Sequence, residues 1–355
     1  MCAPVHGSAE TLRLAFWRID LGGRGPGYAL QDILSQAPAP LAKARLIAHV
    51  APDILVLSGL DHDHDLHALR AMRDLIAEHG QEFPYVFAFA SNAGQRTGRD
   101  MSGDGRSATA DDTHGYGPFS GTKALALLSR HPIKADLARD FSRFLWRDLP
   151  GAMLPDLSPE AQDIHRLSST GHWDVPVRLE GGARLHLLIY QAGPPVFGGP
   201  NDRNLLRNHD ETAFWSQFLD GALPMPPPQA PVVVMGGSNL DPHDGDGLHG
   251  AMQALLAHPR LQDPRPESAG ARQAGQDSAS RGPPAQHTVH WPQAGGPGNL
   301  RVSYILPSRA LRIRDAGVFW PESHSPEADL LGPPDDPPTR HRLVWVDIET
   351  DSLPR

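Results

Sequence analysis

Apolar residues along this chain recur at two spacings, and each spacing marks a kind of element. Leu12-Arg13-Leu14-Ala15-Phe16-Trp17-Arg18-Ile19 alternates with period two, which suits a half-buried strand. Asp53-Ile54-Leu55-Val56-Leu57 holds a continuous apolar run, typical of a central strand covered on both faces. Further strands are predicted at Tyr85–Ala90, Ala124–Leu128, Val175–Leu179, Arg184–Tyr190, Val232–Met235, Val302–Leu306 and Arg342–Asp347. Helical patterning falls at Pro40–Val50, Leu66–Glu78, Asn208–Leu219 and Leu248–Ala257. Strands outnumber helices, and many follow one another with no helix between. That order favours two packed sheets flanked by helices over a single doubly wound sheet. Gln262–Gly298 is rich in Pro, Gly, Ser, Gln and Ala and shows no periodicity. It reads as a long flexible loop inside one domain spanning residues 1–355.

Composition narrows the class. No apolar run is long enough to cross a bilayer, and 39% hydrophobic with 21% charged residues is the balance of a globular chain. The 35 glycines and 36 prolines fit a loop-rich fold of short strands. A net charge of −9 argues against general coating of nucleic acid, because phosphate neutralisation needs a basic face. A local basic pocket stays open. Cys2 is the one cysteine, so neither a disulfide framework nor a thiolate metal site is expected. The opening MCAPVHGSAETLRL has no basic or apolar leader and reads as cytoplasmic, or as exported if a signal peptide has been removed.

Several segments together carry a family likeness. They are Phe144-Leu145-Trp146-Arg147-Asp148-Leu149-Pro150-Gly151-Ala152, His172-Trp173-Asp174-Val175-Pro176-Val177, Pro194-Pro195-Val196-Phe197, Asp202-Arg203-Asn204 and Arg207-Asn208-His209-Asp210-Glu211. Gly317-Val318-Phe319-Trp320-Pro321 and His341-Arg342-Leu343-Val344-Trp345 follow near the end. In this order they resemble the endonuclease/exonuclease/phosphatase superfamily, and a bacterial branch of it, from about Leu12 to Asp347. The resemblance implies a four-layer α/β/β/α sandwich and hydrolysis of phosphate esters with Mg²⁺ or a similar ion. It also implies a site. A carboxylate and an asparagine near the first two strands hold the metal, and a histidine contacts the phosphate. An Asp-x-Asn pair orients water, and a late Asp-His pair completes the set. Such chemistry needs acids because a hard cation takes oxygen ligands and water must be activated by a base or a metal.

Matched position by position, most of that set is replaced. Arg18 stands in the asparagine place, Gly59 in the glutamate place, Gln191 in the histidine place and Gly237 in the Gly-Asp-x-Asn aspartate place. Ser303 replaces the aspartate of a late strand, and Arg340 that of the Asp-His pair. Asn239 and His341 remain as the catalytic remnants. Two guanidinium groups, one in place of an asparagine and one in place of an acid, would repel a divalent cation by roughly 4 kcal/mol per close charge pair at an effective dielectric near twenty. The expectation is a catalytically silent relative with no cofactor at the former site. Arg18, Arg340, Gln191 and Ser303 would then form a metal-free pocket for a phosphate-type or other anion, or the protein serves a protein partner. An alternative leaves both arginines paired with remaining acids or lying in water at the rim. A different class of reading is a working phosphoesterase using Mg²⁺ or Mn²⁺, with its metal site rebuilt from Asp241, Asp244 and Asp246 beside Asn239 and His341.

Other ligand-rich stretches have plainer readings. Asp100-Met101-Ser102-Gly103-Asp104-Gly105-Arg106 looks like half of a Ca²⁺ loop with Asp100 and Asp104 as ligands, or like an Asp/Gly surface turn. The Asp241–Gly247 turn also suits Asx-turn chemistry before the next helix. His62 and His64 could bind an adventitious Zn²⁺ or Ni²⁺, but a solvated loop capping the following helix is the default. Gly236-Gly237-Ser238-Asn239-Leu240 lacks the second glycine of a nucleophile elbow. His172, His209, Asp202 and Arg203 read as loop-organising polar residues, and Trp146, Trp173, Trp215, Trp320 and Trp345 as core.

Overall fold

The computed structural model describes residues 11–275, 280–291, 294–332 and 339–350, and Cys2 lies outside them. Two sheets form its centre. The six-stranded sheet contains β1 (Thr11–Arg18), β2 (Ile54–Leu60), β3 (Tyr85–Phe87), β4 (Ala124–Ser129), β10 (Ile313–Val318) and β11 (Val344–Glu349), in the order β10-β11-β1-β2-β4-β3. The five-stranded sheet contains β5 (Arg139–Asp140), β6 (Gly171–Arg178), β7 (Arg184–Gln191), β8 (Val232–Gly237) and β9 (Ser303–Pro307), in that order. One pair in each sheet is parallel, β1 with β2 and β7 with β8, and the other pairs are antiparallel.

Side-chain alternation assigns the layers. Leu12, Leu14 and Phe16 of β1 point between the sheets, where they meet Val175, Leu187, Ile189, Val233 and Met235. Ala15 and Trp17 point outward, under the helices α1 (Tyr28–Leu34), α2 (Pro38–Val50) and α3 (His67–Ala77). The second sheet repeats the pattern, with Leu188, Tyr190, Val232 and Val234 facing α5 (Arg203–Leu219) and α6 (Gly250–Leu256). Both faces of each sheet are therefore dry, which is why the central strands read as unbroken apolar runs. The four-layer α/β/β/α sandwich is thus the fold. Parallel neighbours need a crossover, supplied by α1 with α2 in one half and α5 in the other.

Several boundaries differ from the sequence reading for physical reasons. β6 begins at Gly171, four residues before the predicted start, because its polar residues are buried with partners. His172 donates through Nε2 to the Glu211 carbonyl (2.8 Å), and Asp174 receives Arg139 Nη2 (2.6 Å). α5 begins at Arg203 and not Asn208. Its Phe214, Trp215 and Phe218 pack with Phe141, His172 and Tyr190, and each such ring contributes about 1.5–3 kcal/mol by burial. α1, the four-residue α4 (Pro159–Gln162) and β10 were not predicted. β10 is a bulged strand between Ile313 and Asp315 that carries little apolar pattern. Gln262–Gly298, expected as one flexible loop, is more organised than its composition suggests. It holds α7 (Ala269–Ala274), Ala271 reaches the inter-sheet core, and His287, Thr288 and Val289 are buried. Residues 276–279 and 292–293 of it lie outside the described set. Among the described residues no helix is long and apolar enough to cross a membrane.

Candidate functional site

The register of the second sheet sets three of the singled-out residues side by side. Gln191 ends β7 opposite Gly237 of β8, and Gly237 faces Ser303 at the start of β9. In the first sheet Arg18 ends β1 beside Ser58, one residue from Gly59. Thr288 ties the two groups together. Its hydroxyl accepts from the amides of Val302 (2.9 Å) and Ser303 (3.1 Å), and its carbonyl accepts from the Arg342 amide (2.8 Å). Val289 then bridges His341, whose carbonyl accepts from Trp17 Nε1 (3.0 Å). These positions share one edge of the sandwich, outside the carboxyl ends of the parallel strands, where α/β folds place their ligands.

The charges at that edge are paired or solvated. Arg18 Nε donates to Asp20 Oδ1 (2.9 Å), and Thr339 Oγ1 donates to Asp20 Oδ2 (3.1 Å). Burial pushes the Asp20 carboxyl up, but Arg18 alongside outweighs it and leaves it below the usual carboxylate range. Lys43 of α2 lies buried nearby. Burial brings its ammonium down to about 8, against an upward pull from Asp20. Arg340 is exposed, and its carbonyl accepts from the His290 amide (2.9 Å). The two arginines therefore take the arrangement of an ion pair and a solvated rim residue, not that of a shared anion clamp.

The remaining positions are sterically committed. Gly59 has φ +86°, and a Cβ there would lie 2.9 Å from the Asp20 amide nitrogen. Its carbonyl also accepts from the amides of Leu21 and Gly22, so the chain after β1 folds directly over it. A Cβ on Gly237 would lie 2.3 Å from Gln191 Oε1, so Gln191 occupies the space an aspartate would enter. Gln191 Nε2 donates to the Ala192 carbonyl (2.9 Å), as does Asn239 Nδ2 (2.8 Å) from a left-handed backbone at φ +51°. Ser303 is buried. His341 is buried too, edge-on to Trp291, and its Nδ1 has no hydrogen-bond partner among the described residues. Burial, with Arg18 adding to it, pushes its imidazole down to about 3. It is neutral and walled in.

The family model for the endonuclease/exonuclease/phosphatase family matches residues 23–341, most of the chain. The chain belongs to that family. No curated protein matches it in sequence. Among solved structures it is similar to an endonuclease/exonuclease/phosphatase from Beutenbergia cavernae, at 15% identity and TM-score 0.57, covering 96% of this chain and 71% of that one. A family protein from Leptotrichia buccalis is similar at 13% identity and TM-score 0.54, covering 95% and 99%. The mannosyl-6-phosphatase Bt3783 of Bacteroides thetaiotaomicron is similar at 13% identity and TM-score 0.52, with the same coverage. At these identities the likeness establishes the fold.

At this edge the residues in the places of the family's ligands supply few donors for the divalent cation that the family implies. Arg18, Gly59, Gln191, Gly237, Ser303 and Arg340 offer no carboxylate, and Asp20 is held by Arg18 and Thr339. In the Asp241–Asp246 turn, the acids proposed for a rebuilt site are engaged by amides or lie in solvent. Asp241 accepts from the amides of His243 (2.8 Å), Asp244 (3.0 Å) and Arg301 (2.7 Å). Asp244 binds the Ser280 hydroxyl and the amides of Arg281 and Gly282, while Asp246 is exposed. The acids of the earlier loop are engaged in the same way. Asp100 accepts from the amides of Ser102, Gly103 and Gly105, and Asp104 from that of Arg106, which is Asx-turn geometry. Among the described residues no group of three or more His, Cys, Asp or Glu side chains is arranged to hold a metal ion. Asp63 caps α3 through the amides of His67 and Ala68, leaving the His62–His64 stretch a capping loop.

Sequence reasoning passed over Asp20, the partner of Arg18, which lies just past β1 in a left-handed backbone at φ +47°. It also read Arg203 as loop-organising and Arg207 and Glu211 as scaffold. The structure lines these three along one side of α5 against a cavity.

Proposed function

We propose that this protein is a catalytically silent member of the endonuclease/exonuclease/phosphatase family, retaining the sandwich for binding instead of metal-assisted phosphoester hydrolysis. The observation that carries the reading is Gly59. At the place that resembles the family's metal-binding glutamate, the backbone is left-handed and a Cβ would lie 2.9 Å from the Asp20 amide nitrogen. Restoring the acid requires the end of β1 to move. Three further features support it. Arg18 is committed to Asp20, Gln191 fills the space beside Gly237, and His341 is buried in its neutral form. A catalytic set acts as a unit, so these losses together remove more than any remnant such as Asn239 can restore.

A Mn²⁺ titration followed by electron paramagnetic resonance tests the reading without needing a substrate. The expected result is that Mn²⁺ stays free at submillimolar concentration, or binds equally well in the Asn239→Ala variant. A submillimolar site lost in that variant would overturn it.

A further inference from the structure

Beyond the former catalytic edge, the wall of α5 carries a second set of polar groups around a cavity of about 410 Å³. That volume is within the range of small-molecule sites. Its floor begins at Gly193, two residues past Gln191. Arg203, Arg207 and Glu211 reach it from successive turns of α5, at the i, i+4 and i+8 spacing of a single helix face.

Arg207 is the unusual group. It is 7% exposed, and its Nε and Nη2 are fixed by four main-chain carbonyls: Leu167 (2.8 Å), His114 (2.5 Å), Arg166 (2.8 Å) and Ser168 (2.9 Å). Carbonyls satisfy its protons, and its charge is offset by Glu211, the next turn along, with no direct ion pair between the two side chains. Glu211 spends Oε1 on the Ser169 amide (2.5 Å) and hydroxyl (2.7 Å) and Oε2 on the Gly193 amide (2.8 Å). Arg203 uses Nη1 on the Met101 carbonyl (2.6 Å), and its nearest acid, Asp111, stands 3.9 Å from Nη2, beyond hydrogen-bond reach. His165 at the back is neutral, its imidazole held well below its ordinary value by burial and by Arg207 nearby.

The mouth of the cavity points to the rest of the ligand. Phe197 is 88% exposed and Tyr116 71% exposed, and both line it. Phe197 sits at φ +65°, a strained backbone for an aromatic residue. Asn204 holds that loop in place through the Val196 carbonyl (2.9 Å). Two exposed rings and two guanidiniums lining one cavity match a molecule with an oxyanion at one end and a planar ring at the other.

We propose that Arg203, Arg207, Phe197 and Tyr116 form a binding site for a small molecule bearing an oxyanion, phosphate or carboxylate, on a planar ring. The site does not depend on whether the former catalytic edge is silent. Calorimetric titration of the full chain in EDTA keeps the two questions apart, because no divalent cation is then present to support hydrolysis. Phenyl phosphate, benzoate, inorganic phosphate and phenol are the probes. Phenyl phosphate or benzoate should bind at submillimolar concentration, and the tighter of the two identifies the anion. Arg203→Gln should weaken that binding by about tenfold or more, the usual scale of one charge-assisted hydrogen bond. Phe197→Ala should weaken the ring-bearing probe several-fold and leave inorganic phosphate unchanged. Arg207 is avoided because its four carbonyl contacts also hold the fold. Failure of both ring-bearing anions to bind at millimolar concentration would overturn the site. So would binding that neither variant weakens, or phenol binding as tightly as its phosphate.

Discussion

Replacing Gly59 with alanine isolates the steric claim about the proposed former metal edge, because alanine adds only the Cβ that any acid would also need. At φ +86° an L-residue pays roughly 1–2 kcal/mol for the left-handed backbone. The new carbon would approach the Asp20 amide nitrogen to 2.9 Å. Relieving such overlap in a packed region costs about 1–3 kcal/mol. The loss of glycine's freedom in the unfolded chain works the other way by about 0.4–1 kcal/mol. The net expectation is a destabilisation of about 1–4 kcal/mol. Equilibrium urea unfolding should therefore show a lower midpoint at unchanged slope, and the melting temperature should fall by several degrees. A midpoint that stays put or rises, as for glycine-to-alanine changes in ordinary backbone, would refute the reasoning and reopen the edge to an acid.

Other changes test the surrounding packing. Gly237→Ala should cost about 1–2 kcal/mol in the wild-type background and much less beside Gln191→Ala, a coupling measurable by a double-mutant cycle on urea midpoints. Additive effects would mean that Gln191 does not fill that space. Asp210 accepts from Trp146 Nε1 (2.6 Å) and the Met153 amide (2.7 Å), so Asp210→Ala should lose about 2–4 kcal/mol by stranding two donors, and a loss under about 1 kcal/mol would contradict this. His341 and His172 are fully buried, with imidazoles pushed down to about 3 and about 4 by burial. Both are neutral in the fold and take up protons on unfolding below about pH 6.5. Their stabilisation is complete above that pH and is lost as pH falls toward 3–4, at about 1.4 kcal/mol per pH unit for each. Urea unfolding of His341→Gln between pH 6 and 5 should accordingly show a shallower pH slope than wild type, and an identical slope would contradict the burial.

The layers were legible because the two patterns that define them are local. Period-two alternation in β1 and continuous apolar runs in β2 and β8 already state which strands are covered on both faces. α3 shows the same for helices, with Leu69, Met72, Leu75 and Ile76 on one buried face. β6 was cut short because His172 and Asp174 look like surface residues. They are buried with partners brought from α5 and β5, which no local pattern reveals. The site divides the same way. The reading that Gly59, Gln191 and Gly237 stand in the places of acids and a histidine rests on the resemblance alone. The left-handed turn at Gly59 and the crowding between Gln191 and Gly237 were not legible in the sequence, since each depends on a neighbouring strand. The pairing of Arg18 with Asp20 stood two residues away in the sequence and went unread. The cavity along α5 was hidden for another reason. Its helix starts five residues earlier than the apolar pattern suggests, so Arg203 was read as part of a loop.

The most direct test is turnover itself. The purified chain would be assayed at micromolar concentration against a phosphomonoester and a phosphodiester with Mg²⁺ or Mn²⁺, beside its Asn239→Ala and His341→Ala variants. The expected result is hydrolysis no faster than the metal-containing buffer, or a residual rate that both variants retain. Metal-dependent turnover comparable to an active relative, abolished by either substitution, would contradict a silent site.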